Sequence, residues 1–332
     1  MQRVSTIKLG AVQVQSQPGK VEANLTHATG LIEQAAREGA TVVVLPELFA
    51  TGYVPNPTVW DFAESQDGKT TAWLAATAKR LSIYVGAGTV ETDGSDFFNV
   101  FVLAGPNGEI AGRAYKTNAE ANVFKRGRNE HAIETAIGRI GVGICADNQF
   151  VAQLEQMHDQ DVDLILMPHA WPTASTAAGL VSEKDVVDQQ RRMIELPALY
   201  GRALGVPVVF VNQVGQLLPI GGILGRLMDP KIWRLRGQSR IVDGDGTELG
   251  RLGDQEGVLV VSALLDPARK HYQPQPSYDG WLQRGAGPAR TVFIPLDIWM
   301  GKRSYSRSAE RKRKAQERAA SDGRKMPAPA GA

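Results

Sequence analysis

The chain has 332 residues and a single cysteine, Cys145. An internal disulfide framework is therefore excluded, and a reducing compartment is the expected setting. Histidine is scarce at five residues. His158 and His169 lack helical or Cys-paired ligand spacing, so no metal site is expected. No apolar run approaches the ~18 residues of a membrane span, and the opening stretch to Gln15 alternates too early to hold a secretory h-region. A soluble, cytoplasmic protein with no membrane association is the expectation. No repeat period of the solenoid kind is present.

What is there is an ordinary globular composition, 43% hydrophobic and 22% charged, with length enough for a substantial core. Ile7–Val14 reads as a strand, and Glu22–Arg37 as a helix with Leu25, Ala28, Leu31, Ile32 and Ala35 at helical spacing. Thr41–Leu45 is a continuously apolar strand of the kind buried on both faces. Helices are predicted over Thr70–Leu81, Gln149–His158 and Glu183–Leu204, and strands over 83–89, 97–103, 110–115, 132–136, 139–144, 163–167, 207–212, 239–242 and 258–265. This order fits an α/β fold in which two mixed sheets are flanked by helices, an α-β-β-α sandwich. Residues 213–237 lack a period and are expected to form a loop excursion, which with 54–67 would carry specificity.

The last thirty residues differ in kind. Lys302–Lys325 contains ten Lys/Arg against three acids, so the chain's net charge of +2 is a property of this tail. Residues 1–300 are read as one domain and 301–332 as a basic tail that is extended, helical or disordered. Ser308–Ala320 has no apolar stripe to bury, which predicts a solvated or subunit-crossing arm, and 326–332 is expected to be disordered. Nucleic-acid binding by the tail is not expected, because basic runs are often only solubilising.

Three predicted strands end in reactive side chains. The first runs into Pro46-Glu47, where proline stops the ladder and leaves Glu47 at the mouth. Another ends in Lys116, and a third, with Ile140, Val142 and Ile144 alternating with glycines, ends in Cys145. Taken singly, each has a plain structural reading: a solvated carboxylate, a snorkelling lysine, a small buried thiol. A helix beginning at the cysteine would favour thiolate over thiol. Gly141-Val142-Gly143-Ile144-Cys145-Ala146 also spells a GxGxxA dinucleotide fingerprint, but the strand before it is interrupted at Gly138-Arg139.

Taken together, Pro46-Glu47, Tyr115-Lys116-Thr117 and Gly141–Asp147 followed by Phe150 resemble the three signatures of the nitrilase superfamily of carbon–nitrogen hydrolases. The resemblance runs over most of residues 7–265 and includes Leu166-Met167-Pro168, Ala170-Trp171-Pro172 and Val211-Asn212. It implies a cofactor-free hydrolase of a small-molecule amide or N-carbamoyl compound, assembled as a homodimer or higher homo-oligomer. In that scheme Cys145 is the nucleophile, Glu47 the general base, Lys116 and the Ala146 N–H the oxyanion donors, and Glu120 a second carboxylate orienting Lys116. Candidate wall residues are Phe49, Tyr53, Asn148, Phe150, His169 and Trp171.

This chain departs from the pattern in three places. Ala146 stands where relatives often carry an aromatic residue, Asn118 where histidine is common, and only three residues separate Lys116 from Glu120. Ala146 and the short loop imply room for a bulkier acyl group. Asp147, rather than glutamate, favours amidases and carbamoylases over nitrilases, leaving a nitrile substrate as the alternative. A Cys–His scheme through His169 and a non-catalytic binding protein using the tail are the remaining rivals.

Overall fold

A computed structural model describes residues 4–322, apart from 128, 129, 180, 223, 224, 226, 227 and 286–288. Two six-stranded sheets lie face to face, and helices cover their outer faces. The first has the order β15-β1-β2-β3-β4-β5, built from Gly257–Leu265, Ser5–Gln13, Val42–Val44, Tyr84–Thr92, Phe97–Ala104 and Ile110–Tyr115. The second has the order β14-β13-β10-β8-β7-β6, from Glu248–Arg251, Arg240–Val242, Val208–Asn212, Leu164–His169, Gly138–Val142 and Ala132–Thr135. Each is mixed: β1, β2 and β3 run parallel, as do β7, β8 and β10, and antiparallel strands close the edges. The α-β-β-α sandwich expected from the element order is the fold observed.

The strand pattern explains the layering. Leu9, Ala11, Val42 and Val44 point inward to meet Val142, Leu166, Val209 and Ile241 of the other sheet. Their alternates, Val43, Val85 and Val102, face α1 (Val21–Arg37) and α2 (Lys69–Leu81). The second sheet turns Ile165, Val208 and Phe210 toward α3 (Val151–Asp159) and α4 (Glu183–Leu204). Strands buried on both faces must be apolar throughout, hence the unbroken valine run of β2. Helix α4 begins on a capping box between Ser182 and Asp185 and stops at Gly205, whose φ of 71° admits the left-handed cap.

Two segments depart from the sequence reading. Residues 213–237 contain β11 (Val214–Gln216) and β12 (Trp233–Arg236), which with β9 (Pro172–Ala174) form a third, small sheet. Its strands are too short to show a period of two.

The C-terminus forms α5 (Ile294–Arg307) and α6 (Ala309–Asp322), and α5 runs straight through the body–tail boundary drawn at residue 301. Helix α6 is docked, contrary to the expected solvated arm. Arg311 is buried, ion-pairs Asp96 and lies 4.5 Å over the Tyr305 ring. Ala315 is sealed in a cluster with Trp60 and Phe97, and Arg318 Nε donates to Ala63 O at 2.8 Å. One small residue and the stems of basic side chains supply the contact, so no apolar stripe announces it. The expected disorder of 326–332 lies outside the described residues. Among those described, no helix is long and apolar enough to cross a membrane.

Candidate active site

The carboxyl ends of β2, β5, β7 and β8 meet at one end of the sandwich, the usual place for chemistry in parallel sheets. Glu47 follows β2, Lys116 follows β5 and Cys145 follows β7, so the first sheet supplies the charges and the second the thiol. Lys116 Nζ lies 2.7 Å from Glu47 Oε1 and 2.8 Å from Glu120 Oε1. Glu47 is fully buried and Lys116 is 1% exposed, whereas Cys145 keeps 7% of its surface. Glu120, with 17% of its side chain exposed, is the most open member of the cluster.

Backbone geometry aims these groups. Cys145 has φ 49° and Leu48, directly after Glu47, also has φ 49°. Each such left-handed residue costs roughly 1–2 kcal/mol and turns the chain sharply at a strand end. Gly88 makes room for the first turn: a Cβ there would lie 2.4 Å from Leu48 N and 2.6 Å from Glu47 Cα. Gly88→Ala is accordingly expected to lower stability by about 1–3 kcal/mol and to reduce kcat by displacing Glu47, measured by thermal melting alongside turnover.

Glu47 is held on every side. Asn99 Nδ2 donates to Oε1 at 2.8 Å, Ala170 N–H to Oε2 at 2.9 Å, and Gln213 Nε2 to its carbonyl at 2.7 Å. Tyr53 Oη donates to Glu120 Oε1 at 3.0 Å. Two further ties join the lysine loop to the cysteine strand. The Asp147 carboxylate accepts from Thr117 N at 3.1 Å and Asn118 N at 2.6 Å. The buried His131 ring reaches Thr117 Oγ1 through Nε2 and Val142 O through Nδ1, each at 3.1 Å. Asn99, Gln213 and His131 were not singled out in the sequence, because nothing local marks a partner that folding brings from a distant strand.

The electrostatics follow from burial and three charges. Burial pushes the Cys145 thiol well up, Glu47 adds to the rise, and Lys116 opposes it. A helix dipole does not rescue the thiolate. Only a five-residue turn, Cys145–Gln149, starts at the sulfur, and extended Phe150 separates it from α3. The helix start that would have favoured thiolate is therefore not at the cysteine. Burial raises the Glu47 carboxyl, against the pull of Lys116. Burial alone would lower Lys116, but Glu120 and Glu47 outweigh it and hold the ammonium well above its ordinary range. For Glu120, burial acts upward, yet the lysine's charge and hydrogen bond keep it below the usual carboxylate range.

A cavity of about 670 Å³ opens beside the cluster, with Tyr53, Glu120, Ala146 and Phe150 on its wall. The other four wall candidates are elsewhere. Phe49 packs against Trp73 in the outer core, ring centroids 5.6 Å apart. Asn148 is fully buried and donates to Gly143 O at 2.7 Å. His169 is sealed, held well below its ordinary pKa by burial, and its Nε2 lies 3.1 Å from the Asn148 amide. It is a neutral structural ring, not the thiol's partner. Trp171 stacks on His169, and its backbone N–H donates to Asn212 Oδ1.

Of the two segments expected to carry specificity, 213–237 reaches the cavity through Ile220, Gly221 and Met228, while 54–67 does not. The missed wall is Trp281 with the inner face of α5. Among the described residues, no cluster of three His, Cys, Asp or Glu side chains could hold a metal ion.

A sequence profile of the family described as carbon-nitrogen hydrolase matches residues 8–270. Bovine omega-amidase NIT2 is 33% identical over 186 residues, covering 51% of this chain and 65% of that protein. A nitrilase of Pyrococcus abyssi is 32% identical over 169 residues, covering 49% of this chain and 64% of that protein. The matched part thus spans just under two thirds of either relative. Among solved structures, a carbon-nitrogen hydrolase from Helicobacter pylori G27 superposes with a TM-score of 0.68 at 24% identity, covering 78% of this chain and 89% of that one. Nit3 of Saccharomyces cerevisiae, a member of branch 10 of the nitrilase superfamily, gives 0.63 at 21% identity, covering 80% and 91%. At these identities the structural likeness concerns the fold.

Proposed function

Because the chain belongs to the carbon–nitrogen hydrolase family, we propose that it hydrolyses the C–N bond of a small-molecule amide through a thioester on Cys145. One observation carries the reading: a buried ammonium bridges two carboxylates, one of them fully enclosed, close enough to the buried Cys145 thiol for their charges to act on it. A thiol pushed up by burial cannot attack as a standing thiolate. It needs a base at the moment of attack, and a carboxylate itself raised by burial is the better matched base.

In the reaction Glu47 takes the S–H proton as sulfur bonds to the amide carbon. Negative charge gathers on the former carbonyl oxygen. Lys116 has three N–H donors and commits two to Glu47 and Glu120, leaving the third for that oxygen. The Ala146 N–H, at the start of the turn and without an intra-turn acceptor, is the second donor. One such donor is worth about 3 kcal/mol of barrier. Glu47 then gives its proton to nitrogen, the C–N bond breaks, and ammonia or an amine leaves. Water, deprotonated by Glu47, adds to the thioester, the C–S bond breaks, and the acid departs as the thiol recovers its proton.

An amide rather than a nitrile is favoured by Asp147 and by the omega-amidase name of the bovine relative. The test is intact-mass spectrometry of the protein mixed with amides, N-carbamoyl compounds and nitriles. An adduct equal to the acyl group is expected with amides, absent in Cys145→Ala; no adduct with any amide would overturn the reading. A homo-oligomer belongs to the same proposal, since α4 exposes Val187 and α5 exposes Leu296, Trp299 and Met300. Sedimentation as a monomer at micromolar concentration would count against it.

A further inference from the structure

Resting on that reading of the reaction, we propose that the acyl group is bulky and predominantly apolar, an arylalkyl or branched alkyl chain, and that helix α5 sets this specificity. The reacting amide is served by the inner end of the cavity, at Glu120 and Ala146. The remainder of its roughly 670 Å³ is far more than an acetamide-sized molecule fills and matches sites for drug-sized ligands. Most of the surface lining that remainder is apolar, supplied by Phe150, Trp281, Ile220, Met228, Ile294 and Ile298, with Asn118, Asn122 and Gln149 among the polar side chains between them. Ala146 adds to it by leaving open the space next to the nucleophile.

This wall is fixed before any ligand arrives, so burial of the chain against it is not offset by ordering the wall. Phe150 and Trp281 form a tilted ring pair 4.4 Å apart, and the Arg290 guanidinium lies 4.2 Å over the Trp281 ring. Helix α5 is pinned at Gly301, where a Cβ would come within 2.8 Å of Asn122 N, and by Tyr305 Oη, which accepts from the Phe97 backbone N–H at 2.9 Å. Charges of both signs border the space: Lys125, Arg126 and Lys302 against Asp297, with Lys125 itself ion-paired to Asp96. With Lys125 neutralised by Asp96 and Asp297 offsetting one of the other two cations, the border holds little net charge to select a second carboxylate on the substrate, and each added methylene should raise kcat/KM by roughly four-fold until the space is filled.

The experiment compares kcat/KM for 3-phenylpropanamide, acetamide and succinamate on the wild type, Ile298→Glu and Ala146→Phe. The wild type is expected to favour 3-phenylpropanamide at least ten-fold, through KM. Ile298→Glu places a charge on the apolar wall and Ala146→Phe fills the space beside sulfur, and each should reduce that ratio five-fold or more. The readout is a ratio on one protein sample, so partial misfolding lowers both rates and leaves it unmoved. Equal or greater activity of the wild type on acetamide or succinamate overturns the substrate class. A ratio unchanged in Ile298→Glu overturns the role of α5, and one unchanged in Ala146→Phe overturns the role of the space beside sulfur. Acyl adducts formed with acetamide but not with 3-phenylpropanamide sink this inference alone, whereas no adduct with any amide sinks the reaction it rests on.

Discussion

Cys145→Ala is expected to abolish amide turnover, lowering kcat by on the order of 10⁴-fold or more, while the protein melts within a few degrees of the wild type. The two halves of this result come from the same fact. Burial, helped by the Glu47 charge, pushes the thiol's pKa well up and so favours its uncharged form. No ion pair is therefore lost with the sulfur. One buried atom disappears, at a cost of about 1 kcal/mol, and alanine bears the φ of 49° no worse than cysteine does. Catalysis, in contrast, loses the atom that forms the bond. The pH profile carries a second signature. In the proposed reaction Glu47 must be ionised to act, and burial raises its carboxyl against the attraction of Lys116. On the wild type, kcat/KM should therefore fall as pH drops through a value above the ordinary glutamate range near ~4.3. Glu47→Gln should remove both the rate and that limb; a limb that persisted in Glu47→Gln would assign it to another group.

How legible all this was depends on the distance over which each contact is made. The strand β5 and the helix α4 have the bounds their patterns predict, Ile110–Tyr115 and Glu183–Leu204, because periodicity and caps are local. Strand ends are equally local, so Glu47, Lys116 and Cys145 could be marked as candidates, and their order along the chain carried the family resemblance. Apart from Glu120, which the resemblance supplied, the groups that hold them could not be marked. Asn99 is 52 residues from Glu47, Ala170 is 123 and Gln213 is 166, and each is an ordinary polar or small residue in its own segment. Asp147 was read only as a class marker, although its carboxylate holds two amides of the lysine loop. The tail misled for a different reason. Arg311 and Lys314 read as solvated charge, yet Arg311 is buried on Asp96 and Lys314 pairs with Asp61 at 2.8 Å. Composition counts charges and is blind to the counter-charges waiting on another surface.

Lys116→Met is expected to lose activity and stability together, which distinguishes it from Cys145→Ala. The methionine is close to isosteric, so the loss is electrostatic. Lys116 carries the charge that keeps two carboxylates in a closed site, 2.7 Å from Glu47 and 2.8 Å from Glu120. Removing one member of a buried ion cluster costs about 3–5 kcal/mol because the charges left behind are uncompensated. The proposed oxyanion donor goes with it, so kcat should fall at least about 10²- to 10³-fold even in protein that remains folded. The sign with pH is specific. In the wild type Glu120 is held below its ordinary value, so its contribution to stability is present above the unfolded pKa near ~4.3 and lost as pH falls through the lower folded value. Without the cation, burial and mutual repulsion raise both carboxyls. Their contribution is then intact only below the unfolded pKa and is lost as pH rises through the raised folded values. The melting difference between wild type and Lys116→Met should therefore widen from pH 5 to pH 8. Adding Glu120→Gln removes one of the stranded charges and should recover part of the stability and none of the activity. Lys116→Arg should rescue neither, since a planar guanidinium does not fit a fully enclosed site shaped for a compact ammonium. A melting difference that is constant across pH would show that Lys116 contributes by packing rather than by charge.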